Sequence, residues 1–309
     1  MRSFLNNLLS IALFFYSLLM VTELLLYVRM QNNRAHALED WPDLVDCNFD
    51  VIFLGSSRTA EHVIPDIVET NTRLMVYNMG YDGFGINMAK NRLEYYLENC
   101  KKQPEIIILE ADFPFCSKKR SAGNFLMKEG VLRYFFLDQL GINKYFRPFD
   151  NWRSADEYAP VLRYKGFPLT FLKHLYGWNK WDRRTEKGFW YPKNAPITFS
   201  NLSVNRDAQH TFAGVDSICH LNGIEFIGLM PPSINGEMQP NDSILAKIEA
   251  SHTLWNFSLL FQGDSMLFRD NRHLTLEGAH LYSHELNKNL LQHIGLERFQ
   301  TQLNALQLP

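Results

Sequence analysis

Short apolar runs punctuate the chain at Val51–Leu54, Leu74–Tyr77, Ile106–Leu109 and Ile224–Met230, each closed by a small or polar residue or by proline. Runs of this length suit strands buried on both faces of a parallel sheet. Between them the apolar period changes to that of a helix. Ile86, Ala89, Leu93 and Leu97 predict an amphipathic helix over 86–100, and Asn205–Leu221 and Ile244–Trp255 read as two more. Ala279, Leu286, Leu290 and Ile294 give the last helix a buried stripe. Pro65 suits the first position of a short helix over 64–69. Strands alternating with helices predict an α/β fold built on a parallel sheet.

The first thirty residues follow a different pattern. Leu8 to Val28 is apolar except for Ser10, Ser17, Thr22 and Glu23. At about 1.5 Å per residue this stretch is roughly 30 Å long, the thickness of a hydrocarbon core. A secretory signal has a shorter apolar region of about 7–15 residues. Residues 1–30 are therefore expected to be a single uncleaved membrane anchor, and 31–45 a polar stalk. Arg2 on one side and Arg29 and Arg34 on the other leave the basic residues balanced, so charge does not set the orientation.

Composition adds two facts. An apolar content of 46% and a charged content of 21% describe a chain able to bury a full core. The net charge of −2 conceals a basic segment: residues 117–193 hold 16 Lys+Arg against 7 Asp+Glu, and the remainder 15 against 26. The same region breaks the strand–helix alternation, and 113–199 contains 21 of the 42 aromatic residues. The expected organisation is an α/β domain from 46–112 and 200–300, interrupted by a basic aromatic insertion or cap at 113–199. There Phe189, Trp190 and Tyr191 adjoin Lys187, a mixture that suits stacking on sugars beside an anionic polymer. It also suits a membrane interface or a merely structural helical insert. Nucleic acid is not expected as a partner, because no nucleic-acid motif accompanies the charge. Cys47, Cys100, Cys116 and Cys219 have no metal-ligand spacing, and no nucleotide-binding pattern is present. No metal or cofactor is expected. His280 and His284, four apart on the last helix, lack a third ligand at telling spacing.

Two places carry candidate chemistry. Val51–Leu54 runs into Gly55-Ser56-Ser57-Arg58, where a strand end presents two hydroxyls. Open α/β sheets place their chemistry at such ends, although strand, Gly and Ser also describe an ordinary helix cap. Far along the chain, Asp270 and His273 stand three apart ahead of the last helix. That spacing lets the carboxylate take the ring N–H and leaves the other nitrogen for a serine hydroxyl. Aspartate and histidine are also common near helix starts, so neither place decides the matter alone. Thr59 breaks the GxSxG elbow of α/β-hydrolases.

Taken together, the N-terminal strand with Gly55-Ser56-Ser57, the glycine-bearing loop Gly80–Gly85, and Asp270-x-x-His273-Leu274 with Gly278-Ala279 resemble the SGNH/GDSL hydrolase superfamily. The likeness covers the first and last thirds of the chain after the anchor. With the anchor, Gly55-Ser56-Ser57-Arg58 is similar to the cell-envelope branch of DltD-like and alginate-acetylation proteins. The resemblance implies a flavodoxin-like three-layer α/β/α fold. It assigns Ser57 as nucleophile, His273 as base and Asp270 as its orienter, with the Ser57 and Gly80 amides as oxyanion donors. Ser56 is then a turn residue. One departure stands out. The family's third block supplies an Asn to the oxyanion hole, whereas here Leu109-Glu110-Ala111-Asp112 places Ala111 at that position. Loss of one such donor costs about 2.7–4 kcal/mol of transition-state stabilisation. Arg58 and Asn78 are the candidates to compensate, and Asp112 is a candidate substrate contact.

The expected function is that of an anchored serine esterase or O-acyltransferase. Its substrates would be acyl esters of a cell-envelope polysaccharide or related polymer, and its catalytic domain would lie on the extracytoplasmic side. A membrane-bound O-acyltransferase is the expected protein partner. The alternative is a non-catalytic accessory protein of the same fold that binds polymer or partner through the basic aromatic segment.

Overall fold

A computed structural model describes residues 2–31, 48–81, 86–111, 187–192, 206–234 and 249–306. It divides into two compact units, Leu44–Arg120 with Arg183–Pro309, and Met1–Asp43 with Ser121–Asp182. Within the second of these, helix α1 (Arg2–Gln31) is the described element. The expected anchor falls on α1, whose side chains are described along only part of its length. Among the described residues no helix is long and apolar enough to cross a membrane.

In the larger unit the chain runs β1 (Val51–Leu54), α2 (Ser57–His62), α3 (Pro65–Val68), β2 (Val76–Asn78), α4 (Ile86–Asn99) and β3 (Ile106–Glu110). It continues through α5 (Arg206–Leu221), β4 (Glu225–Met230), β5 (Thr253–Asn256), a 3-10 turn at Ser265–Leu267 and α6 (Leu276–Leu306). The five strands form one sheet in the order β2-β1-β3-β4-β5, and every pairing is parallel. This is the flavodoxin-like doubly wound order, whose direction of winding reverses between β1 and β3.

The apolar runs form the strands because both faces of the sheet are covered. Ile52, Leu54, Ile107 and Leu109 point to one side, where Leu93 and Tyr96 of α4 and Phe212 and Val215 of α5 pack. Val51, Phe53, Ile106 and Ile108 point to the other, against Tyr282, Leu286 and Leu290 of α6. Each such large apolar side chain removed from water contributes about 1.5–3 kcal/mol. The result is a three-layer α/β/α fold.

One element differs from the sequence expectation. Thr253–Asn256 is an edge strand, not the end of a helix begun at Ile244. Residues 235–248 lie outside the described part. Over Thr253–Asn256 only Trp255 is buried, which is too short a pattern to distinguish a strand from a helical turn. Pairing with β4 decides it, with Leu229 opposite Trp255.

Candidate active site

The site stands at the carboxyl end of β1. Ser56 caps α2, its hydroxyl accepting from the Arg58 N–H at 3.3 Å, and Ser57 is the first residue of that helix. The side chains of Thr59 on α2 and Glu110 on β3 crowd the turn so closely that a Cβ on Gly55 would overlap Thr59 Oγ1 and Glu110 Oε2. This position needs glycine for close approach.

Ser57 Oγ lies 2.9 Å from His273 Nε2, across 216 residues of sequence. His273 Nδ1 lies 2.9 Å from Asp270 Oδ2 and 3.1 Å from Oδ1. Facing a carboxylate, Nδ1 carries the proton and donates, leaving Nε2 to accept from the Ser57 hydroxyl. Local geometry prepares this pair: Asp270 Oδ1 also accepts the Arg272 and His273 N–H groups at 2.8 and 2.9 Å. Burial alone would raise the Asp270 carboxyl. The hydrogen bond to His273, its charge and the two backbone donors outweigh burial and hold the carboxyl at about 2.

The serine helix and the histidine turn are fastened to each other. Glu61 and Arg269 form an ion pair at 2.7 Å, with side chains only 2% and 11% exposed. His62 Nε2 accepts the N–H of Leu274, the residue after His273, at 3.0 Å. Its ring meets that of His273 edge to face at 6.0 Å. Burial first, then the charges of Arg58, His273 and Arg269, push the His62 pKa well below its usual value.

Several residues that the sequence offers as oxyanion or substrate contacts are engaged inside the fold. Asn78, fully buried, donates through Nδ2 to the carbonyls of Thr59 and Val63 at 2.7 Å each. Its Oδ1 accepts the Gly80 N–H at 2.9 Å. Gly80 therefore differs from the expected oxyanion donor: its amide is already bonded, and its α-carbon packs against the backbone of Thr59 and Ala60. Arg58, 2% exposed, donates to the Pro231 and Pro232 carbonyls at 2.8 and 2.7 Å and ties α2 to the loop after β4. The Ala111 N–H extends the sheet to Leu229 O at 2.7 Å. Asp112 lies outside the described residues. The Ser57 N–H has no acceptor among the described residues and is the backbone donor left beside the hydroxyl.

Most of the expected insertion, like the glycine loop beyond Tyr81, lies outside the described residues, but Lys187–Pro192 is described. Phe189 and Trp190 are buried, not displayed for stacking on sugars. Phe189 packs with Ile64 and Ala279, and the Trp190 N–H donates to Ala60 O at 2.8 Å. Lys187 pairs with Glu69 and, at 2.9 Å, with Asp66. Tyr191 remains half exposed. His280 and His284 are exposed on α6, and no group of three His, Cys, Asp or Glu able to hold a metal occurs among the described residues.

Glu110, Glu61 and His62 belong to no motif in the sequence, and the one local signal is a glutamate ending the otherwise apolar β3. Glu110 is 5% exposed and accepts from Ser56 N and Oγ at 2.8 and 2.7 Å, and from Thr59 Oγ1 and N at 2.7 and 3.3 Å.

No protein-family model matches the chain, and no curated protein matches it. Among solved structures, one similar chain is from Streptococcus pneumonia and is provisionally described as a platelet activating factor. It has 11% identity and a TM-score of 0.37, covering 91% of this chain and 98% of its own. Another, from Bacteroides fragilis, is provisionally described as an acylhydrolase. It has 12% identity and a TM-score of 0.38, covering 84% of this chain and 96% of its own. Neither likeness carries the chemistry, which rests on Ser57, His273 and Asp270 themselves.

Proposed function

We propose that this chain is a serine esterase or O-acyltransferase of SGNH/GDSL type, with Ser57 as nucleophile, His273 as base and Asp270 as its orienter. The observation that carries this reading is the unbroken relay from Ser57 Oγ to His273 Nε2 at 2.9 Å and from Nδ1 to Asp270 at 2.9 Å. Ser57 Oγ bonds to the acyl carbon while its proton passes to Nε2, and the Ser57 N–H steadies the oxyanion. Collapse breaks the ester bond, and the imidazolium returns the proton to the leaving alkoxide. Water or an acceptor hydroxyl then gives its proton to His273 and bonds to the acyl carbon, the acyl–Oγ bond breaks, and the imidazolium returns the proton to Ser57 Oγ. Water gives hydrolysis and a polymer hydroxyl gives transfer.

An acylated cell-envelope polysaccharide is the proposed substrate, in keeping with the DltD-like and alginate-acetylation likeness of Gly55–Arg58. A membrane-bound O-acyltransferase is the proposed partner. Anchoring through α1 with the domain on the extracytoplasmic side belongs to the same reading. It is supported by Phe4, Leu8, Ile11, Phe14, Phe15 and Leu18, all exposed apolar residues. The second reading, an accessory protein without turnover, draws on the internal bonding of Gly80 and Asn78, which leaves the Ser57 amide without a partner donor among the described residues.

The test is a chromogenic acetyl ester together with a fluorophosphonate probe. The wild type should be labelled, and Ser57→Ala should lose labelling and at least about a thousandfold in turnover. Labelling of Ser57→Ala at the wild-type rate would remove Ser57 as nucleophile. Labelling of the wild type without ester hydrolysis would favour transfer to an acceptor not supplied.

A further inference from the structure

Glu110 closes β3 beside the serine turn, and its carboxylate meets four donors from Ser56, directly before Ser57, and Thr59, two residues after it. Ser56 contributes its N–H and hydroxyl, and Thr59 contributes its hydroxyl and, at 3.3 Å, its N–H. A group that accepts four hydrogen bonds is acting as an ionised carboxylate, which has only lone pairs to offer. Its amide isostere would turn an N–H toward groups that are themselves donors. Gly55 has no side chain at the point where one would displace this carboxylate.

The bonding in the first turn of α2 follows from that placement. The Ser56 and Thr59 amides bond to Glu110, the Arg58 amide to Ser56 Oγ, and the Ala60 amide to Ser56 O. A helix start leaves several N–H groups without intrahelical partners. Here each is satisfied within the fold except that of Ser57. Ser56 and Thr59 are held by one side chain, Glu110, and of the two residues between them Arg58 bonds through its amide to Ser56 Oγ while the Ser57 amide has no acceptor among the described residues.

We propose that Glu110 is a positioning residue for the nucleophile: it grips Ser56 and Thr59 so that Ser57 Oγ meets His273 and the Ser57 N–H is kept for the oxyanion. This rests on the serine-enzyme reading and extends it. It gives a role to the third strand end, where the resemblance leads one to expect an Asn donor and the chain has Glu110-Ala111. Glu110 does not touch the reacting atoms and acts through Ser56 and Thr59.

The experiment compares wild type, Ser57→Ala, Glu110→Gln, Thr59→Val, Thr59→Ser and the combined Glu110→Gln with Thr59→Val in the full-length chain. It measures fluorophosphonate inactivation rate, kcat and KM on an acetyl ester, and thermal midpoint. Glu110→Gln should lower kcat and the inactivation rate at least about tenfold while KM stays within about twofold, because misalignment affects the transition state more than ground-state binding. Thr59→Val should lose activity in the same direction, and Thr59→Ser, which keeps the hydroxyl, should restore it to within about threefold. The losses from Glu110→Gln and Thr59→Val should be less than additive when combined, since both break one contact. A folded Glu110→Gln that reacts at the wild-type rate overturns the proposal and leaves the serine-enzyme reading intact. If Glu110→Gln does not fold, the Thr59 pair decides, and equal activity of Thr59→Val and Thr59→Ser overturns it. A wild type that neither labels nor hydrolyses removes the serine-enzyme reading, and the proposal falls with it.

Discussion

His62 makes the stability of this fold depend on pH, with a direction set by its burial and its charged neighbours. It is fully buried, and Nε2 accepts the Leu274 N–H at 3.0 Å, so the neutral ring carries its proton on Nδ1. A proton on Nε2 would abolish that bond. Burial, followed by the charges of Arg58, His273 and Arg269, holds the folded pKa well below the ordinary 6.5. The sign follows from proton uptake. Below 6.5 the unfolded chain binds a proton at this residue that the folded chain does not, so stability is full above that pH and declines as pH falls toward the folded pKa. One proton taken up on unfolding corresponds to at most about 1.4 kcal/mol per pH unit. His62→Gln keeps an acceptor within reach of Leu274 and does not titrate. Urea unfolding of both full-length chains from about pH 7 down to about pH 5 should show the wild type losing more stability than the variant, with an extra slope of up to about 1.4 kcal/mol per pH unit. Taking the difference cancels the titrating groups that are not coupled to His62. Parallel losses would refute the argument. At neutral pH, His62→Leu should cost about 1–3 kcal/mol, because it leaves the buried Leu274 N–H without an acceptor.

Two further outcomes follow from the site. Asp270→Asn should lower kcat by about four orders of magnitude through the wrong His273 tautomer. It should also remove an acid transition: with its carboxyl held at about 2 against an ordinary 3.8, Asp270 contributes stability that is full above about pH 4 and lost between about pH 4 and pH 2. Acid titration of stability for both chains checks this, and an unchanged wild-type-like acid limb in the variant would contradict it. Gly80→Ala should destabilise by about 1–3 kcal/mol through overpacking, since its Cβ would meet Ala60 N and Thr59. Thermal denaturation reads that loss, and an unaltered midpoint would mean that α2 and β2 pack less closely than described.

The fold was legible where its signals are local. The apolar runs Val51–Leu54, Ile106–Leu109 and Phe226–Met230 lie in strands because no charged position interrupts the part that both helical layers cover. β5 was not, because an edge strand of four residues with one buried side chain has no pattern of its own. Asn78, Gly80 and Arg58 looked available for chemistry because a sequence shows donor groups and not their partners. The structure gives each of them an internal partner. Trp190 and Phe189 looked like a binding surface because aromatic composition does not distinguish a displayed ring from a buried one.

By itself the sequence determined the α/β alternation and the pairing of Asp270 with His273, since both depend on neighbours a few positions apart. It also offered Ser57 at a strand end, as one of two adjacent hydroxyls. Which hydroxyl meets a base was decided by tertiary structure, which spans 216 residues to bring Ser57 to His273. The roles of Glu110 and His62, with partners as far as 54 and 212 residues away, were decided in the same way. Hydrogen bonding is a short-range, saturable interaction. Whether a given N–H or hydroxyl is left for a substrate therefore depends on every group that the folded chain brings within about 3 Å of it.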